Sequence, residues 1–277
     1  MTITSRPSLT MTAIGLGPNT NPRSTLTRGS MSSHVDVAKQ TVALAATEAR
    51  PSNAITCEVQ IMQHQLPRHS KSDRRLAVAL APDSERAAAF RVLRHHLLEL
   101  NHPQCIVVSS PQRGDGKTTT AINLALALSE CGRAKVLLVE ANLRRPQLAS
   151  VFEFVPPRCF ADQLIIHRKD PLSSWTLVEM PELHLHVGAI DPKFERGQLL
   201  DGPAFSIAME RLRLAGYDHI VIDAPQILGS ADVNLMADAA DTVLLALRAR
   251  RSTARDLRAA IDQIGERKIG GTVLVDD

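Results

Sequence analysis

One stretch constrains the chain more than any other: Ile106-Val-Val-Ser-Ser110, then Pro111-Gln-Arg-Gly-Asp-Gly116, then Lys117-Thr118. It reads as a short apolar strand, a turn with two glycines, and a Lys-Thr pair opening an amphipathic helix. Gly114 and Gly116 let the backbone curl so that successive N–H groups point inward as an anion nest. The helix that follows adds its positive end. In this pattern the lysine reaches the β- and γ-phosphates of a nucleotide, and the hydroxyl next to it ligates Mg²⁺. Arg113, Gly114, Asp115, Gly116, Lys117, Thr118 and Thr119 are therefore the candidate cradle for ATP with Mg²⁺. The general pattern has Gly or Ala six residues before the lysine, where this chain has Pro111.

A loop of this kind sits on a parallel sheet, and the rest of the sequence agrees. Apolar strands are expected at 105–109, 135–140, 183–187, 219–223, 242–247 and 272–275. Helices are expected at 118–131, 203–215, 232–239 and 254–265, with Gly132 ending the first. Near-continuous apolar strands separated by helices imply a mostly parallel sheet covered on both faces, an α/β, three-layer P-loop NTPase fold. Order is expected to begin near Pro82. Ser84 is a plausible cap for a helix whose inner face is Ala88, Phe90, Leu93, Leu97 and Leu98. Residues 1–80 are rich in Ser, Thr, Pro, Ala and Asn without a sustained period, so a disordered or weakly structured tail is expected there, with the nucleotide-binding domain over 82–277.

Composition excludes some functions. Aromatics make up 3% of the chain, too few for the stacking platforms that single-stranded nucleic acid needs, so no nucleic acid is expected. Nine basic side chains against four acidic ones fall in residues 1–80, but they are scattered, which suits a solvated tail better than a binding patch. The four cysteines form no CxxC pair and suit a reducing compartment, with Cys105 and Cys131 read as small apolar filler. No apolar run approaches the ~18 residues of a membrane helix. The expectation is a cytoplasmic protein, recruited to the inner face of the membrane only through a partner.

A second phosphate feature is His219-Ile-Val-Ile-Asp223, an apolar strand ending in a carboxylate. An acid at the carboxyl end of such a strand lies beside the phosphate loop and holds Mg²⁺, usually through water.

With these motifs in place, Val136-Leu-Leu-Val-Glu-Ala-Asn-Leu-Arg-Arg-Pro146 resembles the Walker A′ motif of bacterial tyrosine kinases of capsular and exopolysaccharide biosynthesis. There an apolar strand ends in Asp-x-Asp-Leu-Arg-Arg-Pro. Ala89-Phe-Arg-Val-Leu-Arg94 and Val221-Ile-Asp-Ala-Pro225 are similar to two further motifs of that family, and the likeness runs from about Pro82 to Val275. The resemblance implies an ATP-binding protein-tyrosine kinase-like protein. Its catalytic residues would be Lys117, Glu140 and Asp223, and its metal site Thr118, Glu140, Asn142 and Asp223. A partitioning-type positioning ATPase is a further alternative; such proteins share the fold but carry a signature lysine where this chain has Gln112.

The departures are chemical. The family's two A′ acids are here Glu140, one methylene longer, and Asn142, which cannot take a proton. General-base contributions run roughly 10²–10⁴-fold, so a catalytically weak nucleotide switch regulating a membrane polysaccharide-export partner is the alternative. Tyr217, the only tyrosine, precedes a buried strand and is expected in the core, so tyrosine substrates would lie on other proteins. Val275 stands where the family has an adenine-reading Asn. The family's Glu-x-x-Arg-x-x-Arg of ring assembly implies a homo-oligomer, and here Ala88 stands with Arg91 and Arg94 in its place.

Overall fold

A computed structural model describes residues 57–66, 73–99, 102–193 and 201–276. Most of the expected tail, residues 1–56 and 67–72, lies outside the described residues. Chain order gives β1 (Val59–Gln63), α1 (Ala77–Leu80), α2 (Glu85–Glu99), β2 (Cys105–Ser109), α3 (Lys117–Ser129), β3 (Val136–Glu140), α4 (Leu148–Val151), α5 (Phe160–Lys169), β4 (Trp175–Met180), β5 (Leu185–Gly188), α6 (Gly202–Leu214), β6 (His219–Asp223), α7 (Asp232–Ala239), β7 (Thr242–Arg248), α8 (Ala254–Ile264) and β8 (Ile269–Val275).

The strands form one sheet in the order β1-β4-β5-β3-β6-β2-β7-β8. Every neighbouring pair is parallel except β4 with β5. Strand β2 is central and fully buried. Its side chains alternate, Ile106 and Val108 entering one core and Cys105 and Val107 the other. That alternation is why the strand reads as continuously apolar: both of its faces are covered. Helices α1 to α4 contribute to the first core and α5 to α8 to the second, giving the three-layer α/β P-loop fold.

Ser84 caps α2 as expected, its Oγ accepting the Ala87 N–H at 3.2 Å. The buried face is Ala87, Phe90, Leu93 and Leu97, so Ala88 points to solvent instead of the core. Arg91 and Arg94 both reach Glu130 beyond the end of α3, at 2.6 and 3.2 Å, and so tie two helices of the same chain together. Gly132 does follow the end of α3, but Cys131 is exposed in a left-handed conformation (φ 70°), a correction to its reading as buried filler.

Ordered structure starts before Pro82. Strand β1 adds a parallel edge to β4, and Asn123 in α3 ties the segment before α2 to the domain. Its amide donates to the Arg75 carbonyl at 2.6 Å, and its oxygen accepts the Val78 N–H at 2.9 Å. Strand β4 and helix α5 were also absent from the sequence expectation. They are joined through Gln163, whose side chain accepts the Thr176 N–H at 2.7 Å and donates to the Thr176 carbonyl at 3.0 Å. Tyr217 is in the core as expected, its hydroxyl 2.7 Å from His186 Nδ1. Among the described residues no helix is long and apolar enough to cross a membrane.

The α2–α3 packing makes one stability prediction. Phe90 is 1% exposed in that contact, so Phe90→Ala should cost about 3–5 kcal/mol in urea unfolding. A loss below about 1 kcal/mol would mean that α2 is not docked on the first core.

Candidate nucleotide site

The site forms at the carboxyl ends of β2, β3 and β6, where β2 pairs with β6 on one side and β7 on the other. The chain leaves β2 into the phosphate loop, and α3 returns it to β3 beyond β6, the strand-order reversal at which open α/β sheets bind ligands. Gly114 and Gly116 have φ of +86° and +93°, backbone that other residues adopt only with strain. Gly116 precedes α3, and a Cβ there would meet the Val275 side chain at 3.1 Å. Arg113 is exposed, and Lys117 and Thr119 are half-buried in the first turn of α3. Asp115 is buried and closes the loop on itself, its Oδ2 accepting the Gln112 N–H at 3.0 Å.

Thr118 and Asp223 come together as expected: the Thr118 hydroxyl donates to Asp223 Oδ1 at 3.2 Å. Asp223 is fully buried, and its other oxygen, Oδ2, has no hydrogen-bond partner. A buried carboxylate with an uncompensated oxygen is costly. Burial pushes its acid up to about 6, offset in part by the Lys117 charge, the Thr118 hydrogen bond and the Arg75 charge. An orphaned oxygen beside a threonine hydroxyl and a phosphate nest suits a small hard cation that also coordinates phosphate and water. Mg²⁺ at phosphoryl sites is held in that way, by one or two protein oxygens rather than an all-protein cage. Among the described residues no group of three or more His, Cys, Asp or Glu is placed to hold a metal.

Glu140, expected as base and metal ligand, is hydrogen-bonded to main-chain amides. It stands in register with Asp223 across β3 and β6 and is fully buried. Its Oε1 accepts the N–H groups of Gln147 and Leu148, the latter at 3.0 Å, and its Oε2 accepts that of Ile190 at 3.0 Å. The carboxyl group thus fastens the turn after β3 and the loop after β5 to the sheet edge. Asn142 is buried in that turn, and its main-chain carbonyl accepts the Arg145 N–H at 3.1 Å.

Three positively charged residues of the site were not found in the sequence. Arg75, within the expected tail, binds Asp73 at 2.6 Å, donates to the Gln147 side chain, and lies near enough to Asp223 for its charge to pull the Asp223 pKa down. Arg248 and Arg251 donate to carbonyls of the phosphate loop. No motif marks these positions; a run such as Arg248-Ala-Arg-Arg251 is more often a solvated turn.

No protein-family model matches the chain. Among curated proteins it is 29% identical over 219 residues to the putative tyrosine-protein kinase EpsB of Ralstonia nicotianae, a match covering 75% of this chain and 27% of that protein. It is 25% identical over 189 residues to the tyrosine-protein kinase YwqD of Bacillus subtilis, covering 65% of this chain and 76% of that one. The chain is similar to bacterial proteins that carry the name tyrosine-protein kinase. It thus corresponds to only about a quarter of the length of EpsB, and to most of YwqD. Among solved structures, the kinase domain of the Escherichia coli tyrosine kinase ETK superposes with a TM-score of 0.59 at 20% identity, covering 72% of this chain and 79% of that one. That likeness establishes the fold in common.

The two buried carboxylates set the direction of a pH effect. Burial lifts Glu140 from 4.5 to about 7 against its three amide donors, with the Asp223 charge adding to the rise. The folded chain therefore keeps a proton at Glu140 that the unfolded chain has released. This contribution to stability is complete below about pH 4.5 and is lost as pH rises through about 7. Without nucleotide or metal, urea midpoints should fall from pH 5 to pH 7, and Glu140→Gln should flatten that slope. An unchanged slope in the variant would show that Glu140 stays ionised across the range.

Proposed function

We propose that the chain binds Mg²⁺-ATP at residues 113–119 and serves as a nucleotide-dependent module of the tyrosine-kinase type in capsule or exopolysaccharide production. The observation that carries this reading is the contact between Thr118 and the buried Asp223 beneath a phosphate loop with two positive-φ glycines. Lys117 would neutralise charge on the β- and γ-phosphates, and the loop N–H groups would hold their oxygens. Thr118 and Asp223 would hold Mg²⁺, which when bound supplies further neutralisation of the phosphate charge. The names of the relatives support the kinase label. A membrane chain-length or export protein as partner, tyrosines of other proteins as substrates, a cytoplasmic location and assembly into a homo-oligomer extend the same reading. In this fold Arg91 and Arg94 are engaged with Glu130, so an assembly would have to use them differently from the family motif.

A second reading has its own observation. Glu140, at the position of the family's base, spends both oxygens on main-chain amides, and Asn142 cannot accept a proton. On that reading the chain is a nucleotide switch that binds ATP and turns it over slowly, consistent with the roughly 10²–10⁴-fold that a general base contributes.

Mg²⁺-ATP binding and turnover measured side by side separate the two. Lys117→Ala should weaken binding about ten- to hundredfold, the loss of a charged hydrogen-bonding group. Phosphotransfer to a tyrosine-bearing peptide that requires Lys117 and Asp223 supports the kinase. Tight binding without transfer supports the switch. No binding by the native chain rejects both.

A further inference from the structure

The phosphate loop is held from outside by two side chains that no motif singles out. Arg251 Nη2 donates to the Arg113 carbonyl at 2.9 Å, and Arg248 Nη1 donates to the Gly114 carbonyl at 3.0 Å. In a planar trans peptide the carbonyl and the following N–H point in opposite directions. The Arg113 carbonyl shares its peptide plane with the Gly114 N–H, and the Gly114 carbonyl shares its plane with the Asp115 N–H. Two guanidinium groups that pull these carbonyls outward therefore turn those two N–H groups to the other side of the loop, where a phosphate would lie.

The support is built from contacts within the chain. Arg248 and Arg251 belong to one hydrogen-bonded turn between β7 and α8. The Arg251 and Ser252 N–H groups both donate to the Arg248 carbonyl, at 3.2 and 2.9 Å. The Ser252 hydroxyl accepts the Arg248 N–H at 2.8 Å. Arg250 pairs with Asp276 at 2.9 Å, fastening the same turn to the end of β8. A Cβ placed on Gly114 would lie 2.8 Å from Arg251 Nη1, so the guanidinium rests directly against the loop. Glycines leave such a loop a large choice of conformations, and selecting one of them in advance lowers the ordering cost of binding.

We propose that Arg248 and Arg251 are positioning residues for nucleotide binding, which anchor the Arg113 and Gly114 carbonyls so that the Gly114 and Asp115 N–H groups face the phosphates. This rests on the nucleotide-binding reading above.

The test uses the full chain with Arg248→Ala, Arg251→Ala, the double variant, and Arg248→Lys and Arg251→Lys. Affinity for Mg²⁺ with the non-hydrolysable analogue AMP-PNP is measured by titration calorimetry, and the Gly114 and Asp115 amides are followed by ¹⁵N–¹H spectroscopy without ligand. Each alanine should weaken binding roughly three- to tenfold, as for loss of one exposed charge-assisted hydrogen bond. Each should also broaden or split the two amide signals while leaving the urea midpoint at its native value. Across all variants, affinity should follow the order of those amides. Lysines that restore affinity without restoring amide order would mean that the charges act on the phosphates directly, which overturns the proposal. Alanine variants that bind as the native chain does overturn the proposal alone. A native chain that fails to bind AMP-PNP overturns the nucleotide reading and the proposal with it.

Discussion

Two carboxylates lie buried side by side at the carboxyl edge of the sheet, and the organisation of the site follows from how each is compensated. Glu140 and Asp223 are paired in register on β3 and β6. An ionised group out of water must find donors, a counter-charge or a proton. Glu140 takes three main-chain N–H groups and becomes part of the scaffold. Asp223 receives one threonine hydroxyl and keeps an oxygen without a partner, so it remains the group that a bound cation would satisfy.

This division separates two properties that usually travel together. Holding a nucleotide needs the glycine loop, Lys117, Thr118 and Asp223, and all of these are in place around the carboxyl end of β2. Accepting a proton from a tyrosine hydroxyl needs a carboxylate with a free oxygen facing the substrate. Glu140 has a carboxyl group at the right place in the chain, but its longer side chain is committed to the main-chain amides of the loops beside it. Asn142 does not replace it.

Much of this was legible in the sequence because the central strands are covered on both faces. Strands β2, β3 and β6 are apolar along their length, and the turn after β2 carries glycines where positive φ is required. Edge elements were not legible. Strand β1, Val-Gln-Ile-Met-Gln, is exposed at four of its five positions and shows no alternation, since it borrows its hydrogen bonds from β4. Helix α5 is held by Gln163 against β4, a contact that no local pattern announces. At the site, the replacement of two acids by Glu140 and Asn142 could be read directly. What Glu140 does instead could not, because one of its donors, the Ile190 N–H, comes from fifty residues away along the chain. For the same reason Arg248 and Arg251 looked like an ordinary charged turn until the fold brought them to the phosphate loop.

The central claim is that the site has one working carboxylate, Asp223, and one structural one, Glu140. A crystal structure of the chain with Mg²⁺ and a non-hydrolysable ATP analogue tests this most directly. The account predicts that the cation contacts the Thr118 hydroxyl and lies within one water of Asp223, while Glu140 still accepts the N–H groups of Gln147, Leu148 and Ile190. A Glu140 carboxylate released from those amides and turned into the coordination shell of the metal would contradict it.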